Sequence, residues 1–212
     1  MTKKELYLSF INCLCTLMTE KDVYLIRWYG PFKNRKELRD WEIEDKANEF
    51  FFLYLFQAKK KGKGVQKYDY YCGMTYHRKN SGACVATRMK DANHHIHIYE
   101  EDNPKSISIW VGTIANKNAV SYNSVHLCEL ALINDLSTFE VDEKHLVNKK
   151  DKTLEDKGKN VYIINEWFDT HENKYKKRPG GSIAIPYKVP DVIVFDGKEM
   201  RYTYARRLNY RR

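Results

Sequence analysis

Cysteine is scarce in this chain, and its five positions (13, 15, 72, 84 and 128) are odd in number and irregularly spaced. That excludes a disulfide framework and points to a reducing, intracellular setting, cytoplasmic or nuclear. There is no C-x-x-C pair and no H-E-x-x-H, and Cys72 and Cys84 are poorly spaced for zinc. The cluster His94-His95-Ile96-His97 therefore lacks a zinc framework around it. No apolar run is long enough to span a membrane, so no membrane partner is expected. The N-terminal LYLSFINCLCTLM is broken by polar residues and lacks a small-residue cleavage site, which reads as a structural helix rather than a signal peptide. Internal repeats, a phosphate-binding P-loop and local Ser-His-Asp or Cys-His signatures are all missing. Pro190-Asp191 before VIVFD begins like a pattern in which a second acid and a lysine follow on the next strand. The following Asp196-Gly197-Lys198-Glu199 has the wrong order for it and reads as a turn.

What the chain has in excess is positive charge and tyrosine: a net charge of +9 and 16 tyrosines among 212 residues. Charge that attracts phosphates, beside rings that stack on bases, is the profile of a nucleic-acid binder. A chain of this length buries a sizeable core without metal or disulfide staples.

The sequence is organised around a hairpin. The apolar run Phe50 to Gln57 and the tyrosine-rich Tyr68 to Thr75 flank a loop bearing Lys59, Lys60, Lys61 and Lys63 with two glycines. Before it, residues 4–19 are spaced as an amphipathic helix, Tyr24 to Ile26 as a short strand and Gly30-Pro31 as a turn. Residues 35–46 form a charged helix with a thin apolar stripe. After it, residues 83–92 read as a helix carrying Arg88, and His95 to Tyr99 alternate as a strand should. Ser106 to Ile114 is the best isolated strand, with Ile107, Ile109 and Val111 on one face, and 124–136 the best helix, capped by Asn123 or Ser124. A polar stretch over 140–160 marks a boundary or mobile loop. Strands at 161–168 and 192–195 and a basic, tyrosine-bearing end follow.

On the helix 124–136, Glu129 has Val125 and Ile133 as its i−4 and i+4 neighbours, which puts its carboxylate on or beside the buried stripe. A carboxylate there must be paired, protonated or coordinating a cation. Taken alone, a salt-bridged structural glutamate explains it; with an arginine and two tyrosines nearby, a single carboxylate holding a hydrated Mg²⁺ competes.

The order FLY (52–54), YCG (71–73), Arg88, a following histidine, Glu129 in LCELALI and Asn148 in LVNKK resembles the GIY-YIG nucleases over roughly residues 50–150. The departures are Phe52 where the first motif has glycine, Cys72 where the second has an aliphatic residue, and a long hairpin loop. The resemblance implies an α/β (α+β) fold whose small central antiparallel sheet is flanked by helices. It also implies a nuclease core over 49–150, with additions over 1–48 and 151–212. It further implies a DNA endonuclease, of restriction or mobile-element type, that uses Mg²⁺ or Mn²⁺. Carried over by position, Glu129 is the metal ligand and Arg88 binds the scissile phosphate. Tyr54 and Tyr71 line the site, one of them orienting or deprotonating the attacking water, and His94 or His95 serves as base or phosphate contact. Asn148, with Asn165 as its rival, hydrogen-bonds near the phosphate. Lys59, Lys60, Lys61, Lys63 and Lys90 are the expected nucleic-acid contacts, and cleavage at a palindrome implies a homodimer. Two other classes fit the same composition: a non-catalytic nucleic-acid-binding protein in which Glu129 is structural, and an inhibitor or adaptor with a basic surface.

Overall fold

The computed structural model describes residues 23–45, 51–62, 68–76, 85–116, 120–137, 145–148, 161–171, 173, 188–195 and 200–203. The expected helix over 4–19, Lys63 and most of the polar stretch 140–160 lie outside them. Strands β1 (Val23–Phe32), β2 (Phe51–Ala58), β3 (Asp69–Tyr76), β4 (Ser108–Ile114), β5 (Val161–Phe168), β6 (Val192–Phe195) and β7 (Met200–Thr203) form one sheet. Helices α1 (Arg35–Asp45), α2 (Val85–Arg88), α3 (Ile96–Asp102) and α4 (Tyr122–Asp135) complete the described elements, with a 3₁₀ turn at Pro104–Ser106.

The sheet is mixed, not small and antiparallel as expected. Its order is β3-β2-β4-β1-β5-β6-β7. β1 runs parallel to β5, with Val23 opposite Tyr162, whereas the other neighbouring pairs are antiparallel. Strands from all three expected segments share this sheet, and β1 lies between β4 and β5. The antiparallel unit β3-β2-β4 carries the expected hairpin, with Tyr54 opposite Gly73.

Side chains alternate across the strands and so build two cores. Leu53, Leu55, Cys72, Trp28 and Trp110 pack with Val125, Cys128 and Leu132 of α4 on one face. Phe52, Tyr54, Phe56, Ile109 and Val111 pack with Leu38 and Trp41 of α1, Val85 of α2 and Ile96 and Tyr99 of α3 on the other. Being covered on both faces, β4 is buried along its whole length. Burying each such large apolar side chain contributes roughly 1.5–3 kcal/mol.

Three local expectations are corrected. Residues 95–99 do not form a strand: Ile96 and Tyr99 are buried three residues apart on α3, and Ile98 is exposed. Gly30-Pro31 is not a turn but part of β1, where the register against β4 shifts between Tyr29 and Phe32. Gly30 takes φ +148°, and a Cβ there would lie 2.7 Å from the Ile109 carbonyl oxygen. Helix α4 is capped by Ser121, in a reciprocal capping box with Ser124, rather than by Asn123 or Ser124.

Candidate functional site

Tyr54 rises from the middle of β2 and is buried. Its ring lies over Gly73 of the neighbouring strand, where a Cβ would be only 2.5 Å from Tyr54 Cζ and 2.6 Å from its hydroxyl. Glycine at 73 is therefore what lets this tyrosine reach across the outermost strand. Tyr71, two residues earlier on β3, stacks on Tyr54 with centroids 5.9 Å apart and on Phe56 at 5.3 Å.

Arg88 ends the single-turn helix α2. The buried carboxylate of Glu42, from α1, fixes the start of that helix, accepting from the backbone N–H of Val85 at 2.8 Å and of Ala86 at 3.0 Å. A carboxylate satisfies the otherwise orphaned donors of a helix start. After Arg88 the chain turns back: the Asp91 N–H donates to the Arg88 carbonyl, and the His94 N–H donates to the Asp91 carbonyl at 2.8 Å. That reversal brings His94 to the tyrosines.

The hydrogen bonds of His94 have a direction. Its Nδ1 accepts from the Ile96 N–H at 3.2 Å, and its Nε2 is 3.2 Å from the Tyr54 hydroxyl. Burial, reinforced by the Arg88 charge, lowers the imidazole to about 4, so it is neutral at physiological pH. A neutral ring that accepts at Nδ1 carries its proton on Nε2. Nε2–H then donates to Tyr54, and the Tyr54 O–H is left to donate to Tyr71, with which it hydrogen-bonds. Tyr54 is thereby held in its protonated form: burial first, then Tyr71, push it well above the usual phenol range. Burial raises Tyr71 as well, but the bond received from Tyr54 and the charge of Arg88 act in the opposite direction.

Glu129 lies where the helical spacing put it. Its side chain is 16% exposed, and its Oε2 is 3.2 Å from Nδ1 of His126, one turn earlier on α4. Its charge acts on Tyr54, Tyr71 and Cys72, raising all three. Tyr71, Arg88, His94 and His95 line a cavity of about 420 Å³ together with Asp91, Ala92 and Asn93. The His95 ring is 5.6 Å from that of Tyr71.

Asn148 reaches this region in another capacity. Residues 145–148 run along the outer edge of β3, with Leu146 bridged to Tyr70 and the Val147 N–H donating to the Tyr70 carbonyl at 2.9 Å. The Asn148 amide closes the strap: its Oδ1 accepts from the Cys72 N–H at 3.0 Å and its Nδ2 donates to the Cys72 carbonyl at 2.8 Å. Asn165 belongs elsewhere, on β5, accepting from Trp28 Nε1 and donating to the Pro190 carbonyl. The lysines lie apart from the cavity lining. Lys59 is over the Tyr68 ring at 4.2 Å and Lys60 over Tyr99 at 5.8 Å, at the loop end of the hairpin, while the Lys61 N–H donates to Asp102. Lys90 is exposed on the turn after α2.

Sequence reasoning missed Glu42, Asp91, and the trio Asp69, Tyr99 and His145. In that trio the Tyr99 hydroxyl donates to one Asp69 oxygen and His145 Nδ1 meets the other, both at 2.7 Å. Only Asp91 had a legible signal, an acid three residues after a helical arginine. Among the described residues no helix is long and apolar enough to cross a membrane, and no three His, Cys, Asp or Glu side chains cluster as metal ligands. Compared with family models, curated proteins and solved structures, the chain matches none.

Proposed function

We propose that this protein is a metal-dependent endonuclease of GIY-YIG type that hydrolyses DNA phosphodiesters. One observation carries the reading. Tyr71 of β3, Arg88 of α2 and His94 before α3 line one cavity; Tyr54 stacks on Tyr71 and its hydroxyl is 3.2 Å from His94 Nε2, and the Glu129 charge reaches both tyrosines from α4. Phenols and a guanidinium at an open cavity, with a half-buried carboxylate on α4 whose charge reaches the phenols, suit phosphoryl transfer better than packing.

The donor set fits Mg²⁺ in its usual form, held by one or two carboxylates with substrate phosphate and water rather than by an all-protein cage. Glu129 is the carboxylate that would hold it, and a bound ion would supply charge stabilisation at the phosphate and leaving oxygen. Arg88 binds the scissile phosphate and offsets the charge that develops on it. Tyr71 is the base. It receives the hydrogen bond from Tyr54, which favours its phenolate, and it faces the cavity, whereas Tyr54 is buried and keeps its proton. A cation held by Glu129 would offset the charge by which Glu129 raises Tyr71. Tyr71, once its own phenolic proton has passed to solvent in the open cavity, takes the proton of the attacking water. The water oxygen bonds to phosphorus as the bond to the leaving oxygen breaks, and the leaving oxygen takes a proton from solvent water. Lys59 and Lys60 extend the contact to flanking phosphates. Double-strand cleavage would call for a two-fold dimer.

A second reading, nucleic-acid binding without catalysis, draws on the raised tyrosines, which both keep their protons in the ligand-free protein. Cleavage of supercoiled plasmid and of a single-stranded circle, in Mg²⁺ and in EDTA, separates the two. Metal-dependent cutting that Glu129→Ala abolishes while DNA binding persists supports the nuclease. Tight binding with no cutting by either protein on any substrate overturns it.

A further inference from the structure

The guanidinium assigned to the phosphate is already engaged in the ligand-free protein. Arg88 Nη1 pairs with Oδ2 of Asp91, and both residues line the 420 Å³ cavity with Tyr71 and His94. The pair is about half exposed on each side, 50% for Arg88 and 54% for Asp91, so it stands at the cavity mouth and not in the core. Asp91 is held there by its backbone: its N–H donates to the Arg88 carbonyl, and its carbonyl accepts from the His94 N–H and lies 2.9 Å from His97 Nε2. The turn that delivers His94 to the tyrosines thus also points a carboxylate at the arginine.

A carboxylate and a phosphodiester present the same thing to a guanidinium, an anionic oxygen acceptor. We propose that Asp91 is a resident competitor for the phosphate: it occupies Arg88 until a phosphodiester displaces it. This rests on the nuclease reading for the identity of the ligand and extends it to the regulation of the same site. Two consequences follow from charge alone. Asp91 orients Arg88 before the substrate arrives, and the carboxylate released by displacement repels the incoming phosphate. An accompanying cation offsets that repulsion, so binding without metal is weak and binding with metal is stronger. Asp91 is a positioning residue in this scheme, acting on the phosphate through Arg88.

The test is a double-mutant cycle on binding, read by fluorescence anisotropy with labelled single-stranded and duplex oligonucleotides in EDTA and again in Ca²⁺. Wild type, Asp91→Asn, Arg88→Gln and the double variant are compared, circular dichroism showing that each is folded. In EDTA, Asp91→Asn should bind about fivefold more tightly than wild type, the upper range of an exposed ion pair. In the Arg88→Gln background the same change should have little effect, and Ca²⁺ should tighten wild type more than Asp91→Asn. Equal tightening in both backgrounds would mean mere removal of a negative charge and would overturn the proposal. So would unchanged or weaker binding by Asp91→Asn, or no binding of any oligonucleotide by any of the four proteins. Plasmid cleavage assayed separately tells this failure from that of the nuclease reading. Tightening without cleavage by wild type keeps the competitor and removes the enzyme; cleavage without tightening does the reverse.

Discussion

Tyr54 and Gly73 face each other across β2 and β3, and the ring of the one occupies the space that a side chain on the other would fill. Gly73→Ala must therefore move the ring or bend the edge strand. The expected result is a loss of DNA cleavage of at least about 10²-fold, the cost of misplacing a catalytic group, with a modest fall in melting temperature. Retained activity would show that the position of Tyr54 is unimportant.

The two tyrosines should differ. Tyr71→Phe removes the proposed base and should lower the cleavage rate by about 10²–10⁴-fold. Tyr54→Phe removes only a donor to it and should cost less, moving the alkaline limb of the pH–rate profile upward. Because the base acts deprotonated, the wild-type rate should rise with pH and level off above the Tyr71 pKa. Equal losses from both substitutions, with unshifted profiles, would dismiss the directional chain from His94.

His94 should make folding stability depend on pH. Its folded pKa of about 4 lies below the unfolded value of about 6.5, so between the two the unfolded chain binds more protons. Stability is then full above about pH 6.5 and is lost as pH falls toward 4. The loss is about 2 kcal/mol after discounting for solvent screening. Denaturant melts at pH 7 and pH 4.5 should show this slope in wild type and a shallower one in His94→Gln.

Asn148 should matter for stability as well as for the site. Asn148→Ala leaves the Cys72 N–H and carbonyl on the outer edge of β3 without their partners. This should cost about 1–3 kcal/mol. Asn165→Ala strips the Trp28 indole and the Pro190 carbonyl on β5 and should cost a similar amount while leaving oligonucleotide affinity intact. A stable Asn148→Ala protein would show that the strap does not depend on its amide.

The parts that could be read in the sequence were those specified by nearby residues. The hairpin follows from two β-rich runs around a lysine–glycine loop, and α4 from an apolar stripe long enough to fix its period. The alternation in HIHIY covers only five residues and places Ile96 and Tyr99 equally well three apart on a helix, which is what the packing under α3 uses. Sheet order was out of reach for a different reason. Periodicity tells a strand which face to bury and says nothing of its neighbours, and the partners of β1 come from remote parts of the chain. Tyr54, Tyr71, Arg88 and Glu129 could be named because their order and elements were visible. Glu42 acts through contacts that only the folded chain creates, 43 and 44 residues away along the chain, whereas the Arg88–Asp91 pair is local.

The place of β1 also sets a schedule for synthesis. It is the first described strand to leave the ribosome, yet Ile26 must wait for Ile114 and Val23 for Tyr162 before either edge is paired. The β2–β3 hairpin can close as soon as it is made, whereas the strand at the middle of the sheet stays open on one side until β5 appears. Pairings between such distant residues form slowly and leave apolar edges exposed meanwhile. A nascent chain halted after α4 would hold the tyrosines, Arg88 and Glu129 and still present β1 as an unprotected edge, a target for chaperones or for a second unfinished copy.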